Sequence, residues 1–391
     1  MVRREIDTMN MNSCQLVLPS ATARYWGWAG PPLGLLYLAA MTPDATITDG
    51  VLDGDPIFDK GDGIVGIVVH SSTRQDALRI AADAKEAGRT VVVGGPHFNA
   101  AFTAKQFMDT GCVDYVVRGS GEEAWKGICE GVPFHDPTFQ GVNINSIPTP
   151  LPWDKIDVMK YPPRDRGVFR GIDLSKTPRI NLVTSRGCIG MCEFCTAFMH
   201  GIQVHYYEWL EPNIMMLYDM GVRHICFDDD LFGSSMVLTE KLCALLGGLG
   251  ITWSATTRVD TANEELIRMM SDGGCWRISI GIESTSSKVL SSMRKVVDIE
   301  KVPQIREWTR RYGMALSLLM MRGYPGQTMI DEMDDEDWTR SIAPDEIGCL
   351  GHTLVIPGTQ LWRKAVAAGY VDESYWEGDE PYLVADRRWK L

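Results

Sequence analysis

No run of about 18 consecutive apolar residues occurs in this sequence, so no membrane-spanning helix is expected. The opening residues, MVRREIDTMNMNSCQLVLPS, include basic side chains but no apolar stretch ahead of a small-residue cleavage site. A secretory leader is therefore not expected, and a cytoplasmic protein is. Positive charge is in deficit: 38 Lys and Arg stand against 51 Asp and Glu, a net charge of −13, and no Lys/Arg run offsets it locally. Such a chain repels a polyanion, which argues against nucleic acid and favours a small-molecule or peptide substrate. Low-complexity tracts and internal repeats are missing as well. Ten cysteines in 391 residues do not make a disulfide framework and read as buried apolar side chains or thiols. Three of them are spaced too closely for that reading.

What is present is strand–helix alternation, in two blocks. Residues 1–131 carry short apolar runs at Cys14–Ser20, Ala45–Val51, Gly63–Ser72, Thr90–Pro96 and Val113–Gly119. An Ala-rich helical stretch between the third and fourth is stopped by Gly88. Near-continuous Val/Ile runs mean strands buried on both faces, hence an α/β, doubly wound, Rossmann-like sheet. Residues 132–178 hold eight of the twenty prolines and little periodicity, which predicts an interdomain linker wrapping over the surface. From Arg179 the alternation restarts, with strands expected at Ile180–Ser185, His224–Asp229, Ile251–Thr257, Trp276–Ile282, Met314–Met320 and Ile347–Ile356. Six βα units are too few to close an eight-stranded barrel, so residues 179–365 should form a partial, open (β/α)6 barrel. Its function belongs at the C-terminal ends of the strands. A tail, 366–391, is aromatic and charged and is expected to pack on the outside of the barrel, with a cover over the barrel mouth as the alternative.

Directly after the first barrel strand the sequence reads TSRGCIGMCEFCTAF, placing Cys188, Cys192 and Cys195 in a C-x3-C-x2-C array. Three thiolates on one loop can wrap a face of a cubane cluster and leave one iron open to a cosubstrate. Zinc is the alternative. It wants four ligands, and no second cysteine knuckle exists, although His200 or His205 could supply a fourth donor.

The array, with Phe194 just ahead of its third cysteine, resembles the radical S-adenosylmethionine (radical SAM) superfamily. That resemblance implies a [4Fe–4S] cluster on Cys188, Cys192 and Cys195 whose open iron holds SAM, whose reductive cleavage gives a hydrogen-abstracting 5′-deoxyadenosyl radical. It further implies an electron donor such as flavodoxin or ferredoxin. Later strand ends resemble the same family. CFDDDLF puts Asp229 and Asp230 beside SAM, and WSATTRVD puts the donor fork of Arg258 on its carboxylate. GIESTSSKVLSSMRK puts Glu283 within reach of the ribose hydroxyls. In RGYPGQT, Gly323 and Pro325 let backbone approach the adenosine closely, and VIPGTQL is similar.

The first block resembles the cobalamin-binding domain of the cobalamin-dependent, class B-like radical SAM enzymes. The resemblance implies that loops after the third, fourth and fifth strands hold the corrin and its nucleotide tail. These are Ser71, Ser72 and Thr73; Gly94, Gly95, Pro96 and His97; and Gly119, Gly121 and Glu122. Glycines there permit close approach to a ligand lying beyond the strand ends. The D-x-H-x-x-G signature that supplies a histidine to cobalt is absent, and Ser120 stands where the family has an acid. His97 is expected in a supporting or surface role rather than on cobalt. Tyr25, Trp26 and Trp28 are expected in aromatic packing, with the corrin as the other surface they could meet. A domain keeping the fold without the cofactor is the alternative. The whole implies a cobalamin-dependent methyltransferase acting on an unactivated carbon. A radical SAM enzyme of non-methylating cyclisation, rearrangement or oxidation is the nearest rival, and a zinc-stabilised binding module the more distant one.

Overall fold

The computed structural model describes residues 14–22, 30–132, 143–197 and 201–391. The chain divides into two compact units, Met1–Lys160 with Asp372–Tyr382, and Tyr161–Val371 with Leu383–Leu391.

The first unit is built on five parallel strands, β1 (Cys14–Leu18), β2 (Thr46–Asp49), β3 (Ile64–Val68), β4 (Thr90–Gly94) and β5 (Tyr115–Val117), in the order β2-β1-β3-β4-β5. Its principal helices are α1 (Leu33–Met41), α2 (Arg74–Glu86), α3 (Ala101–Asp109) and α4 (Glu122–Cys129). Side chains alternate across a strand. Val91 and Val93 accordingly pack with Ala77, Ile80 and Phe107 on one face of the sheet. Val92 packs with Leu35, Ala39 and Trp125 on the other. Both faces are covered, so the inner strands β3 and β4 read as near-continuous apolar runs, while the edge strand β2, Thr-Ile-Thr-Asp, alternates. Gly66 lies under Trp125, and a Cβ there would sit 2.7 Å from the indole ring. The order reverses between β1 and β3, and ligands of such sheets bind beyond the strand ends at that switch point.

The second unit carries six parallel strands: β6 (Ile180–Leu182), β7 (His224–Phe227), β8 (Thr252–Thr257), β9 (Cys275–Glu283), β10 (Ala315–Arg322) and β11 (Glu346–His352). They pair in sequence order, and β6 and β11 are not paired to each other, which leaves the expected open partial barrel. The helices between them are capped as the sequence dictates: Ser235, Asn263 and Thr328 each accept from a backbone N–H of the first turn that follows. Phe227, Phe232 and Trp253 pack together at ring separations of 5.2–5.5 Å.

Two expectations need correction. The Pro-rich stretch does not run over the surface as a solvated linker. Ile144, Ile147, Leu151, Trp153 and Val158 are buried in the first unit, and Tyr161 and Leu174 in the second. Proline removes periodicity without removing apolar anchors, so a segment whose regular elements, among the described residues, are only short 3-10 turns and a two-residue antiparallel pair can still contribute to the core. Asp165 is buried at the N-terminal end of the barrel strands, 2.9 Å from His224 Nε2 and 3.0 Å from the Arg277 guanidinium. Burial works against its carboxylate, but the His224 hydrogen bond and the arginines hold its pKa below the ordinary value.

The tail, likewise, is not simply packed outside the barrel. Asp372–Tyr382 belongs to the first unit, where Arg74 Nε donates to the Trp376 carbonyl at 2.8 Å. The residues after it return to the second unit, where Val355 N–H donates to Leu383 O and Gly326 N–H to Arg387 O.

Candidate active site

The cysteine loop leaves β6 through Thr184, Ser185 and Arg186. A two-residue antiparallel ladder pairs Ser185–Arg186 with Gln203–Val204 and closes the loop at its base. Gly187 sits at φ +89°, and a Cβ there would fall 1.7 Å from Gly201 O, so only glycine fits. Two carboxylates from the end of β7 hold this entry. Asp229 is buried and accepts from Thr184 N–H, Thr184 Oγ1 (2.6 Å) and Ser185 Oγ (2.8 Å). Burial pushes its pKa up to about 6 in spite of those donors. Asp230 accepts from Gly187 N–H at 3.0 Å. The pair expected beside SAM therefore has a first task in the backbone of the cysteine loop.

Within the loop, Cys192 is buried while Cys188, Phe194 and Cys195 are half-buried. Gly190 N–H donates to Cys188 Sγ and Ala197 N–H to Cys195 Sγ, each at 3.3 Å. Gly190 lies where the cysteine sulfurs and Arg258 converge. A Cβ there would meet Arg258 at 2.8 Å and the sulfurs of Cys188 and Cys192 at 3.4 and 3.7 Å. Burial raises the Cys192 and Cys195 thiols, and at Cys192 the Lys295 and Arg258 cations pull the other way. An anionic thiolate-bound cluster suits this cationic rim. His205 is buried and stacked on Trp209, its pKa lowered to about 3 by burial, and His200 lies outside the described residues.

Arg258 follows β8 and forks onto Asp260 at 2.9 Å, with a further contact to Val296 O. Glu283 ends β9 with φ +68°, a left-handed geometry rare for a non-glycine residue, and pairs with Lys295 Nζ at 2.6 Å. Both side chains are nearly buried. Arg258, Glu283 and Lys295 are all close enough to Cys192 to act on its charge. Gly323 has φ +71° and donates its N–H to Glu332 Oε1 at 3.1 Å, and Pro325 is buried beside it.

Three groups here escaped the sequence reading. Glu193, between the second and third cysteines, is buried and pairs with Lys364 at 2.7 Å, with the Tyr324 hydroxyl at 3.4 Å. Asp335 is buried beneath the ends of β9 and β10, accepting from Ser284 Oγ (2.9 Å), Thr285 Oγ1 (2.7 Å) and Gln327 Nε2 (3.2 Å). Lys295 is the third. The E-F between the last two cysteines and the SMRK after the β9 motif were the available signals for Glu193 and Lys295. Asp335, inside an acidic helix run, had none.

In the first unit the named loops do lie beyond β3, β4 and β5. Their edge holds buried polar atoms with no hydrogen-bond partner among the described residues: Thr22 Oγ1, Ser72 Oγ and His97 Nε2. A polar ligand over the strand ends would satisfy them. Glu122 is buried at the start of α4, while Gly119, at φ +79°, is exposed and Gly121 half-buried. His97 is not at the surface: it is fully buried, 3.1 Å from Ser71 Oγ and ringed by Phe98, Phe107 and Trp376, and burial lowers its pKa to about 3. Gly95 sits at φ +120°, and a Cβ there would fall 2.8 Å from Val69 O, so backbone crowding already requires glycine. Gly94 and half-buried Ser71 flank this turn, with Thr73 buried and Pro96 exposed. Tyr25, Trp26 and Trp28 lie outside the described residues.

No protein-family model matches the chain. It is 30% identical over 405 residues to an uncharacterised methyltransferase, PH0819, of Pyrococcus horikoshii, covering 92% of this chain and 84% of that protein. Its fold is similar to the radical SAM methyltransferase TsrM of Kitasatospora setae, solved with cobalamin and a [4Fe–4S] cluster bound. The TM-score is 0.69 at 16% identity, over 91% of this chain and 75% of that one. It is also similar to the cobalamin-dependent SAM radical enzyme OxsB, solved with aqua-cobalamin, with a TM-score of 0.69 at 14% identity over 96% of this chain and 65% of that one.

Proposed function

Because this chain belongs to the family of the methyltransferase PH0819 and shares the fold of the cobalamin-dependent radical SAM enzymes, we propose that it is one of those enzymes and methylates an unactivated carbon of a small-molecule or peptide substrate. In this reading Cys188, Cys192 and Cys195 hold a [4Fe–4S] cluster, SAM lies against it, and the loops beyond β3, β4 and β5 hold cobalamin. When bound, the cluster and SAM supply a radical that takes hydrogen from the substrate, and cobalamin supplies the methyl carrier.

The chain's own residues have defined tasks. Asp229 and Asp230 fix the entry of the cysteine loop, and Glu193 fixes its far side. Arg258 offers its fork to the SAM carboxylate, and Glu283 offers oxygens to the ribose hydroxyls while Lys295 holds its carboxylate in place. Gly323 and Pro325 bring bare backbone to the adenosine. Thr22, Ser72 and His97 give unspent hydrogen-bonding capacity to the polar periphery of the corrin. A reduced flavodoxin- or ferredoxin-type donor is the expected source of electrons.

The observation that carries this reading is the meeting of Cys188 and Cys192 with Arg258 at Gly190, where a Cβ would lie 2.8 Å from the guanidinium and 3.4 and 3.7 Å from the two sulfurs. The test needs no substrate. Anaerobically reconstituted protein should hold about four irons and bind hydroxocobalamin. It should cleave SAM to 5′-deoxyadenosine under reduction and lose that activity in Cys192→Ala. Arg258→Ala and Glu283→Ala should each weaken SAM binding about ten- to a hundredfold, the cost of a charge-assisted contact, with iron content retained. Reductive SAM cleavage by a Cys188/Cys192/Cys195 triple-alanine variant would sink the proposal. A product heavier by one methyl group, carrying label from methyl-labelled SAM, would then identify the acceptor.

A further inference from the structure

Cys14 opens β1 and Cys129 closes α4, and their sulfurs lie 3.3 Å apart in the core of the first unit. Both are buried and neither belongs to the ligand loops, which sit at the other end of the sheet. We propose that Cys14 and Cys129 form a redox-responsive dithiol that oxidises to an intramolecular disulfide, stapling the first strand of this unit to its last helix.

Several observations converge on it. Two thiols in contact have already met most of the entropic cost of closing a loop of 115 residues. A disulfide needs the sulfurs to close to about 2.05 Å, an approach of about 1.3 Å that side-chain rotation can supply. The contact suits a disulfide better than a shared metal ion. Two thiolates on a tetrahedral metal at about 2.3 Å each would stand about 3.8 Å apart. Among the described residues there is also no set of three His, Cys, Asp or Glu groups suited to an ion. The hydrogen bond between the pair favours ionisation of one partner at the expense of the other: Cys14 is lowered and Cys129 raised.

With a hydroperoxide as oxidant the step balances. The Cys14 thiolate attacks the peroxide, an S–O bond forms and the O–O bond breaks, giving a sulfenic acid and hydroxide. The Cys129 sulfur then attacks that sulfur, the S–S bond forms and the S–O bond breaks. Overall two thiols lose two electrons and two protons, and hydrogen peroxide becomes two waters.

The test uses the full chain, fully reduced and then exposed to stoichiometric hydrogen peroxide. Free thiols are alkylated and the protein is digested without reductant. The expected product is a Cys14 peptide joined to a Cys129 peptide, 2 Da lighter than the sum of the free pair and separated again by reductant. Mapping distinguishes it from any bridge among Cys188, Cys192 and Cys195. Oxidised wild type should melt about 5 °C or more above the reduced form, a shift missing from both Cys14→Ser and Cys129→Ser. Recovery of both cysteines alkylated after oxidation, or of either joined to a different cysteine, would overturn the proposal. The wild-type map decides the matter even if a serine variant does not fold.

Discussion

Asp229 is a carboxylate whose burial outweighs three hydrogen-bond donors, so its pKa stands at about 6 against an ordinary 3.8. Between those values the folded state binds a proton that the unfolded state has released. This contribution to stability is therefore fully present below about pH 4 and is lost as pH rises through about 6, amounting to about 3 kcal/mol in all. Asp229→Asn should remove that slope. Its amide oxygen can take the place of Oδ1, which accepts from Thr184 N–H, Thr184 Oγ1 and Ser185 Oγ, at the loss of the Oδ2 acceptor 3.0 Å from Thr184 N. Denaturant unfolding of wild type and variant at pH 4.5 and pH 7 gives a double difference. The wild type should lose more stability than the variant on going to the higher pH, and equal losses would remove Asp229 as the cause. At this scale the sequence was most informative where chemistry is local. Three cysteines within eight positions announce themselves. Glu193 does not, because its partner Lys364 lies 171 residues away and a lone Glu in a loop carries no mark of burial.

Elements were legible wherever hydrophobic pattern and stop signals coincide. All eleven strands of the two parallel sheets lie within the runs that predict them, to within about two residues, because strands buried in a parallel sheet leave largely apolar stretches. The cysteine loop is different: its shape rests on backbone conformations that sequence shows only as glycines. Gly187 and Gly201 look alike in sequence and both have positive φ, yet their surroundings differ. A Cβ at Gly187 collides with Gly201 O, while one at Gly201 meets nothing within 4 Å. Gly187→Ala should therefore open the loop and abolish iron retention, whereas Gly201→Ala should cost about 1 kcal/mol and keep the iron. Iron per chain after reconstitution, set beside the thermal midpoint of each variant, separates the two. Lys364→Met acts on the same loop from α5 (Gln360–Ala367), the helix that follows β11. It leaves the Glu193 carboxylate buried with the Tyr324 hydroxyl nearby but no cation. The lysine is half exposed, so the loss should be about 1–2 kcal/mol rather than that of a fully buried pair, with faster release of iron on dilution into chelator.

The scale of the whole molecule is where the sequence said least. An aromatic, charged C-terminal stretch without periodicity gives no sign that its two halves join different units. Its place in the first unit is decided by Arg74, 302 residues earlier, whose guanidinium is buried. That guanidinium donates to the carbonyls of Ser71, Trp376 and Gly378 and lies 5.2 Å from the Trp376 ring centre. Trp376 also faces His97 at 5.9 Å, so it backs two of the loops assigned to cobalamin, the one after β3 and the one after β4. Trp389, by contrast, stacks on Tyr370 in the second unit and is only half-buried. Trp376→Ala should thus cost about 3–5 kcal/mol, as large aromatic truncations in a core do, and should weaken hydroxocobalamin binding. Its iron content should stay at the wild-type level, because the cysteine loop belongs to the other unit. Trp389→Ala should cost less and leave cobalamin binding unchanged. Thermal unfolding, corrin titration and iron analysis on the two variants read these effects separately. If Trp376→Ala bound hydroxocobalamin as tightly as wild type, the segment would be a structural strap with no bearing on the cofactor loops.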